Sequence, residues 1–204
     1  MTTHQLDLLA AVSSVACWAA VALAWLGCAI YYDSRAPAER TRSWYASPLL
    51  VTALIALAVS AVVPRADWRP LEVQAPWVRF LGLAILLAAT GLTLWARLAL
   101  GAMWSAAPTV KQEHKLRTSG PYAITRHPIY TGFLGMMVGS GLLAGAGRWI
   151  LYCVVYVVLV QFKIRAEERL MLAEFPGEYP RYRQRVPQLI PGLRLPGRHT
   201  VASG

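Results

Sequence analysis

The chain has 204 residues, of which 56% are hydrophobic and only 15% charged, and its formal net charge at pH 7 is +10. A soluble domain carries about 25% charged residues, and disordered chains have low hydrophobicity, so the composition excludes both classes. It indicates an integral membrane protein. A strongly basic chain often binds nucleic acid, yet in a membrane protein positive charge also marks the cytoplasmic side.

Five apolar runs follow one another along the chain and predict five transmembrane helices, at residues 6–32, 48–64, 77–100, 129–146 and 149–162. A helix needs about 20 residues to cross the hydrocarbon core, with about 17 as the short limit, so the second and fifth runs are marginal. The fifth reaches full length only if it continues to residue 166, where long basic side chains can extend to the interface. The first run lacks a basic start and is too long for a signal peptide, so it predicts a true span.

The basic residues predict the orientation of these spans. Five spans place the two termini on opposite sides of the membrane. With the N-terminus outside, 16 of the 20 Lys and Arg residues fall in the inner segments, which is the distribution that the positive-inside rule requires. The net charge therefore reflects topology and attraction to anionic lipid head groups, and we expect no nucleic-acid partner. In a prokaryotic cell the protein would lie in the inner membrane.

The polar residues divide the chain into three regions. Residues 1–100 form a membrane scaffold of three spans, residues 101–191 carry the working polar groups, and residues 192–204 form a disordered tail. The three cysteines, Cys17, Cys28 and Cys153, lie within spans, and no Cys/His cluster has zinc spacing. We therefore expect neither a disulfide framework nor a metal site.

The last two predicted spans are joined so closely that they predict a tight helical hairpin. The pairs Gly135/Gly139 and Gly141/Gly145 in the fourth span permit close backbone approach. This glycine face either packs against another helix or lies against a ligand. After the fifth span, residues 165–175 predict a cytoplasmic helix, and the Pro-rich, basic and aromatic stretch 175–191 predicts an interfacial cap. The predicted fold is all-α.

Polar side chains cluster just before the fourth span. Pro128 suits the first turn of the fourth helix, which places Arg126 and His127 at its N-terminus, where free backbone N–H groups favour anionic ligands. A hydrogen bond from His127 to the backbone is the alternative. After the fifth span, Glu167 and Glu168 either serve the site or form a solvated face paired with neighbouring arginines.

Three motifs occur together in the C-terminal half. They are His-Lys-Leu-Arg-Thr-Ser-Gly-Pro-Tyr at 114–122, Arg-His-Pro-Ile-Tyr-Thr-Gly at 126–132, and Glu-Glu at 167–168 followed by Leu172, Phe175, Tyr179 and Tyr182. The combination resembles the isoprenylcysteine carboxyl methyltransferases, within a superfamily that includes phospholipid methyltransferases. The resemblance covers about residues 97–191. Pro176 departs from the family, which usually has Gly there, and the span count suggests a compact prokaryotic relative.

The resemblance implies that S-adenosylmethionine is the cofactor and binds at the cytoplasmic membrane face. It assigns the cofactor site to His114, Leu116, Gly120, Tyr122, Arg126, His127, Pro128, Tyr130 and Glu167. Arg126 or Arg165 would orient an acceptor carboxylate through the guanidinium fork. Glu167 or Glu168 would fix that arginine or bind the cofactor ammonium. For Tyr122, Tyr130, Tyr179 and Tyr182, anchoring at the membrane interface is the alternative.

The acceptor implied by the resemblance is lipophilic and enters sideways from the bilayer, most plausibly as the carboxylate of an isoprenylcysteine-like compound. Lipid amines and small thiols are the alternatives within the superfamily. A carboxylate is already ionised at neutral pH, so the reaction needs positioning and desolvation rather than a strong base.

Two other classes of protein compete with this interpretation. Membrane sterol reductases that use NADPH share an Arg-His-Pro-x-Tyr pattern but tend to have Asn before the Tyr, where this chain has Ile129. The pair Glu167-Glu168 also favours the methyltransferases. A transporter or scaffold would place ionisable residues along its spans, whereas these spans are almost free of them.

Overall fold

The computed structural model describes residues 3–33, 39–42, 47–73, 75–104, 109–111 and 116–192. In these ranges the chain forms seven α-helices: α1 (Thr3–Asp33), α2 (Pro48–Val62), α3 (Pro76–Leu100), α4 (Pro121–Ile124), α5 (Pro128–Leu143), α6 (Trp149–Glu174) and α7 (Glu178–Arg185). Two 3₁₀ segments, Arg65–Leu71 and Gly101–Met103, precede and follow α3. The strands β1 (Glu39–Arg42) and β2 (Thr109–Lys111) form a short antiparallel ribbon, which the sequence did not predict.

The five predicted apolar runs are all helical, and the chain is an integral membrane protein. Three helices are long and apolar enough to cross a membrane, at His4–Tyr32, Pro76–Met103 and Trp149–Glu174. The shorter apolar helices are Pro48–Val62 and Pro128–Leu143. The fifth run continues well beyond residue 162, as its length required. The fourth ends earlier than predicted because Gly145, Ala146 and Gly147 all have positive φ, which a helix does not allow.

The glycine face of α5 packs against α3. A Cβ atom added at Gly139 would lie 2.6 Å from the backbone nitrogen of Leu86 and 2.8 Å from the carbonyl oxygen of Gly82, so only hydrogen fits between the two backbones. A Cβ atom added at Gly135 would likewise lie too close to Ala89 of α3, here to its side chain. The glycines therefore serve helix packing. The predicted hairpin exists, but α5 packs more extensively on α3 than on α6.

An ion pair and cation–π contacts join α1 to α3, which runs parallel to it. Near their N-terminal ends, Arg79 Nη1 donates to Asp7 Oδ1 over 2.6 Å. At the opposite ends the buried guanidinium of Arg97 lies among aromatic rings, with Cζ 4.6 Å from the ring centroid of Trp104 and 5.7 Å from that of Trp25. Arg97 therefore joins the C-terminal end of α3 to α1.

The segment after α7 runs back along the start of α5. The backbone N–H of Arg126 donates to the carbonyl of Pro187 over 2.9 Å, and that of His127 to Gln188 over 3.2 Å. The hydroxyls of Thr125 and Thr131 each donate to carbonyls of the same segment over 2.6 Å. The predicted interfacial cap is thus bound to the N-terminus of α5, and it contains the short helix α7.

Replacing Gly139 by Ala should destabilise the protein, because the new methyl group would meet backbone atoms of α3. We expect a loss of about 1–3 kcal/mol, as for other overpacked sites, seen as a lower midpoint of thermal unfolding in detergent. Gly91→Ala is the matched control, since a Cβ atom at Gly91 meets nothing within 4 Å. Equal midpoints for the two variants would contradict this account of the α3–α5 contact.

Candidate active site

A cavity of about 540 Å³ lies where the end of α3, the start of α5, the second half of α6 and α7 meet. Its polar end is lined by Arg117, Tyr122, His127, Tyr130, Lys163 and Glu167. Its other end is lined by apolar and aromatic side chains, Trp18, Val21, Trp25, Leu49 and Phe133. The cavity therefore joins charged groups to an apolar chamber within one volume.

Most of the predicted site residues line this cavity, namely Leu116, Tyr122, Arg126, His127, Pro128, Tyr130 and Glu167. Gly120 lies outside the lining and faces Trp95, and its positive φ of 62° shows that it serves the turn before α4. Arg165 is exposed and stands over the ring of Phe162, so the structure does not bring it to the cavity. His114 lies outside the described residues.

A buried ion pair joins Arg126, which lines the cavity, to Glu168, which lies behind the cavity wall. Arg126 donates to Glu168 Oε1 from Nε over 2.9 Å and from Nη2 over 2.8 Å. Its Nη1 donates to the carbonyls of Val186, over 2.5 Å, and Arg183, over 3.1 Å. The two paired side chains are only 8% and 7% exposed. Since a guanidinium has five N–H donors, at most one remains for a ligand.

His127 lies between the two adjacent carboxylates. Its Nδ1 is 3.5 Å from Glu167 Oε2, and its Nε2 is 3.4 Å from Glu168 Oε1. Burial disfavours the charged imidazole, but hydrogen bonds and charges from Glu167 and Glu168 outweigh burial and raise the pKa of His127. A protonated ring donates from both nitrogens, so it can bind both carboxylates at once.

Glu167 is the carboxylate that faces the cavity. The Tyr130 hydroxyl donates to Glu167 Oε1 over 2.5 Å, and the Tyr130 ring stacks on the ring of His127. The side chain of Glu167 is 24% exposed, against 7% for Glu168. The two glutamates therefore differ in their surroundings: Glu168 is held in a buried ion pair, whereas Glu167 lies in the cavity wall.

Lys163 is a buried cavity residue that the sequence reasoning missed. It lies one turn before Glu167 on α6, and its Nζ stands 5.8 Å from the ring centroid of Tyr130. The four-residue spacing from Glu167 is the signal that could have found it. Trp18 and Trp25 of α1 were also missed, because an apolar span gives no sign of which face lines a cavity.

The cap closes the cavity with aromatic residues. Tyr179 and Tyr182 are buried and line the cavity, which favours a role in the site over anchoring at the membrane interface. The Tyr182 hydroxyl donates to the carbonyl of Tyr122 over 2.6 Å. Burial raises the pKa of the Tyr122, Tyr179 and Tyr182 hydroxyls, so they stay neutral at ordinary pH.

The different roles of the two glutamates can be tested by stability. Glu168→Gln removes the charge that balances buried Arg126, and breaking a buried ion pair costs about 3–5 kcal/mol. Glu167→Gln is the matched control, and because Glu167 is partly exposed we expect it to lose about 1 kcal/mol or less. Thermal unfolding of both purified variants in detergent gives the comparison. Equal losses of stability would contradict the assignment.

Comparison with known proteins identifies a family to which this chain is similar. The model of the isoprenylcysteine carboxyl methyltransferase (ICMT) family matches residues 81–173. Protein-S-isoprenylcysteine O-methyltransferase B of Arabidopsis thaliana is 32% identical over 118 residues, which is 56% of this chain and 60% of the relative. Methanethiol S-methyltransferase 2 of Bradyrhizobium diazoefficiens is 37% identical over 78 residues, 38% of this chain and 29% of the relative.

A solved structure is similar over most of the chain. The structure of the eukaryotic intramembrane Ras methyltransferase ICMT superimposes with a TM-score of 0.58 and 25% identity, covering 73% of this chain and 54% of that chain. This chain therefore spans somewhat over half the length of these ICMT relatives. The resemblance seen in the three motifs is confirmed by these matches to the isoprenylcysteine carboxyl methyltransferase family.

Proposed function

We propose that the protein is an integral membrane methyltransferase that uses S-adenosylmethionine to methylate a lipophilic carboxylate, such as that of an isoprenylcysteine-like compound. The observation that carries the proposal is the cavity, in which Glu167, His127 and Lys163 lie at one end and aromatic apolar side chains at the other. A ligand with a charged head and an apolar body matches this division. The similarity to proteins named protein-S-isoprenylcysteine O-methyltransferase and methanethiol S-methyltransferase supports the same chemistry.

We further propose that all five apolar helices cross the bilayer, with the N-terminus outside and the C-terminus in the cytoplasm. The distribution of 16 of the 20 basic residues supports this orientation. The inner ends of α1 and α3, the start of α5 and the cap then face the cytoplasm. The polar end of the cavity lies on that side, within reach of a water-soluble cofactor, and in a prokaryotic cell the membrane would be the inner one.

The side chains at the polar end fit the parts of S-adenosylmethionine. The Glu167 carboxylate suits the ammonium of the cofactor, and Arg117 suits its carboxylate. Tyr122, Tyr179 and Trp104 offer aromatic surface for the purine. When bound, the cofactor would supply an electrophilic methyl group next to a sulfonium.

The residues of this chain would position and desolvate the acceptor. Tyr130 and His127 hold the Glu167 carboxylate from two sides, which fixes where a cation binds. Lys163 is assigned to orient the acceptor carboxylate, because it is a buried cation in the cavity wall beside Tyr130 and one turn from Glu167. The apolar chamber beyond them excludes water from the carboxylate, which removes the hydration that would slow its attack.

Small thiols form the second candidate class of acceptor. The methanethiol methyltransferases among the relatives favour it. A thiol is methylated as its thiolate, an anion that Lys163 would stabilise as it would a carboxylate. The lysine therefore fits both classes of anionic acceptor, whereas a lipid amine, which reacts in its neutral form, would gain nothing from it.

Methyl transfer from labelled S-adenosylmethionine should be measured against a farnesyl-cysteine derivative, phosphatidylethanolamine and methanethiol. We expect transfer to farnesyl-cysteine. Lys163→Met should raise the KM for this acceptor about 10- to 100-fold, the value of a hydrogen bond to a charged group, and should leave the KM for the cofactor nearly unchanged.

Arg165→Met is the matched control for Lys163→Met, since Arg165 is exposed on the same helix and outside the cavity. It should behave like the wild type. Transfer to methanethiol alone would assign the protein to the thiol class, and transfer to none of the three acceptors would contradict the proposed activity.

A further inference from the structure

A second cavity, of about 700 Å³, lies along α2 and is also lined by Trp18 of α1 and by residues of α5 and α6. It arises because α1 packs mainly on α3, whereas α2 packs on α6. Trp18 of α1 and one face of α2 form its sides, and Met137 of α5 with Trp149 and Tyr152 of α6 forms its floor. We call this volume the α1–α2 groove. Its lining is mostly apolar.

The α1–α2 groove adjoins the apolar end of the candidate active site. Trp18 and Leu49 line both cavities, so these two side chains are the boundary between them. From Leu49 the lining of α2 continues through Ala53 and Ala56 to Ser60, at the three- and four-residue spacing of one helix face. Eleven residues of helix cover about 16 Å. The groove therefore extends the apolar chamber along about half the thickness of the hydrocarbon core.

The far end of the groove is polar. Arg148 Nη1 donates to Ser60 Oγ over 3.2 Å, and Ser60 Oγ lies 3.0 Å from the Tyr152 hydroxyl. The Tyr152 hydroxyl also lies 3.4 Å from the carbonyl oxygen of Ala56. A hydrocarbon chain that reached this cluster would break its hydrogen bonds or shield its polar groups from water. Either change leaves buried polar groups unpaired, which costs free energy.

We propose that the α1–α2 groove holds the hydrocarbon chain of the methyl acceptor and that the Arg148–Ser60–Tyr152 cluster sets the longest chain that fits. This rests on the proposed function, since the acceptor head must lie at Lys163 for its chain to pass Trp18 and Leu49. The two cavities share Trp18 and Leu49, and this adjacency selects the acceptor chain as the occupant. An ordinary bilayer acyl chain would need no connection to the charged end.

If the groove holds the acceptor chain, methyl-transfer turnover should depend on the length of that chain. Two substitutions should shift the preferred length in opposite directions. Cysteine carboxylates with geranyl, farnesyl and geranylgeranyl chains would be compared in the methyl-transfer assay. Ala56→Phe fills the groove and should lower the ratio of farnesyl to geranyl turnover about 10-fold, as extra bulk does in a hydrophobic pocket. Arg148→Ala opens the far end and should raise the ratio of geranylgeranyl to farnesyl turnover by a similar factor.

Ala58→Phe is the matched control, because Ala58 is exposed on α2 but does not line the groove. It should keep the wild-type length profile. If Ala56→Phe and Ala58→Phe have the same profile, or if Arg148→Ala leaves the profile unchanged, the groove does not hold the chain.

A second measurement separates failure of this inference from failure of the proposed function. A farnesyl-cysteine probe with a diazirine at the end of its chain would be photolysed with the wild-type protein, and the labelled peptides identified. We expect label near Ser60 and Tyr152, suppressed by unlabelled farnesyl-cysteine, whether or not methyl transfer occurs. Label on the exposed face of α1, at Leu23 or Ile30, would overturn the inference. Label in the groove that resists competition would assign it to bilayer lipid and overturn it equally.

Discussion

The pairing of Arg126 with Glu168 is the contact on which the candidate site depends. It joins the turn before α5 to the C-terminal half of α6, and through Nη1 it also holds the backbone after α7. Burying a charge pair costs free energy unless further hydrogen bonds satisfy its donors. Four of the five N–H donors of Arg126 have partners here. The same contact fixes His127 between the two glutamates, which in turn orients Glu167 toward the cavity.

The second constraint is the close approach of α3 and α5. Because hydrogen is all that fits at Gly139, the two helices form a compact unit against which α1 and α6 pack from either side. The N-terminus of α5, with Arg126 and His127, lies near the C-terminal ends of α1 and α3. Charged groups and apolar side chains thereby come to line one cavity.

The sequence predicted the helices well, since a membrane span is specified by length and hydrophobicity alone. It also predicted most of the polar wall, because the motifs around Tyr122, His127 and Glu167 fall on consecutive elements that meet in the fold. It did not predict Lys163, Trp18 or the groove beside α2, because nothing in an apolar run shows which face turns toward a cavity. Only the structure shows that Glu167 and Glu168 have different surroundings, because adjacent residues on a helix point about 100° apart. The early end of α5 and the exposure of Arg165 also followed only from the structure.

The central claim is that the polar end of the cavity binds S-adenosylmethionine. Isothermal titration of the detergent-purified protein with S-adenosylmethionine and, separately, with NADPH tests it most directly. The account predicts saturable binding of S-adenosylmethionine at one site per chain, weakened in Glu167→Gln. Binding of NADPH without binding of S-adenosylmethionine would contradict it and would favour a membrane reductase.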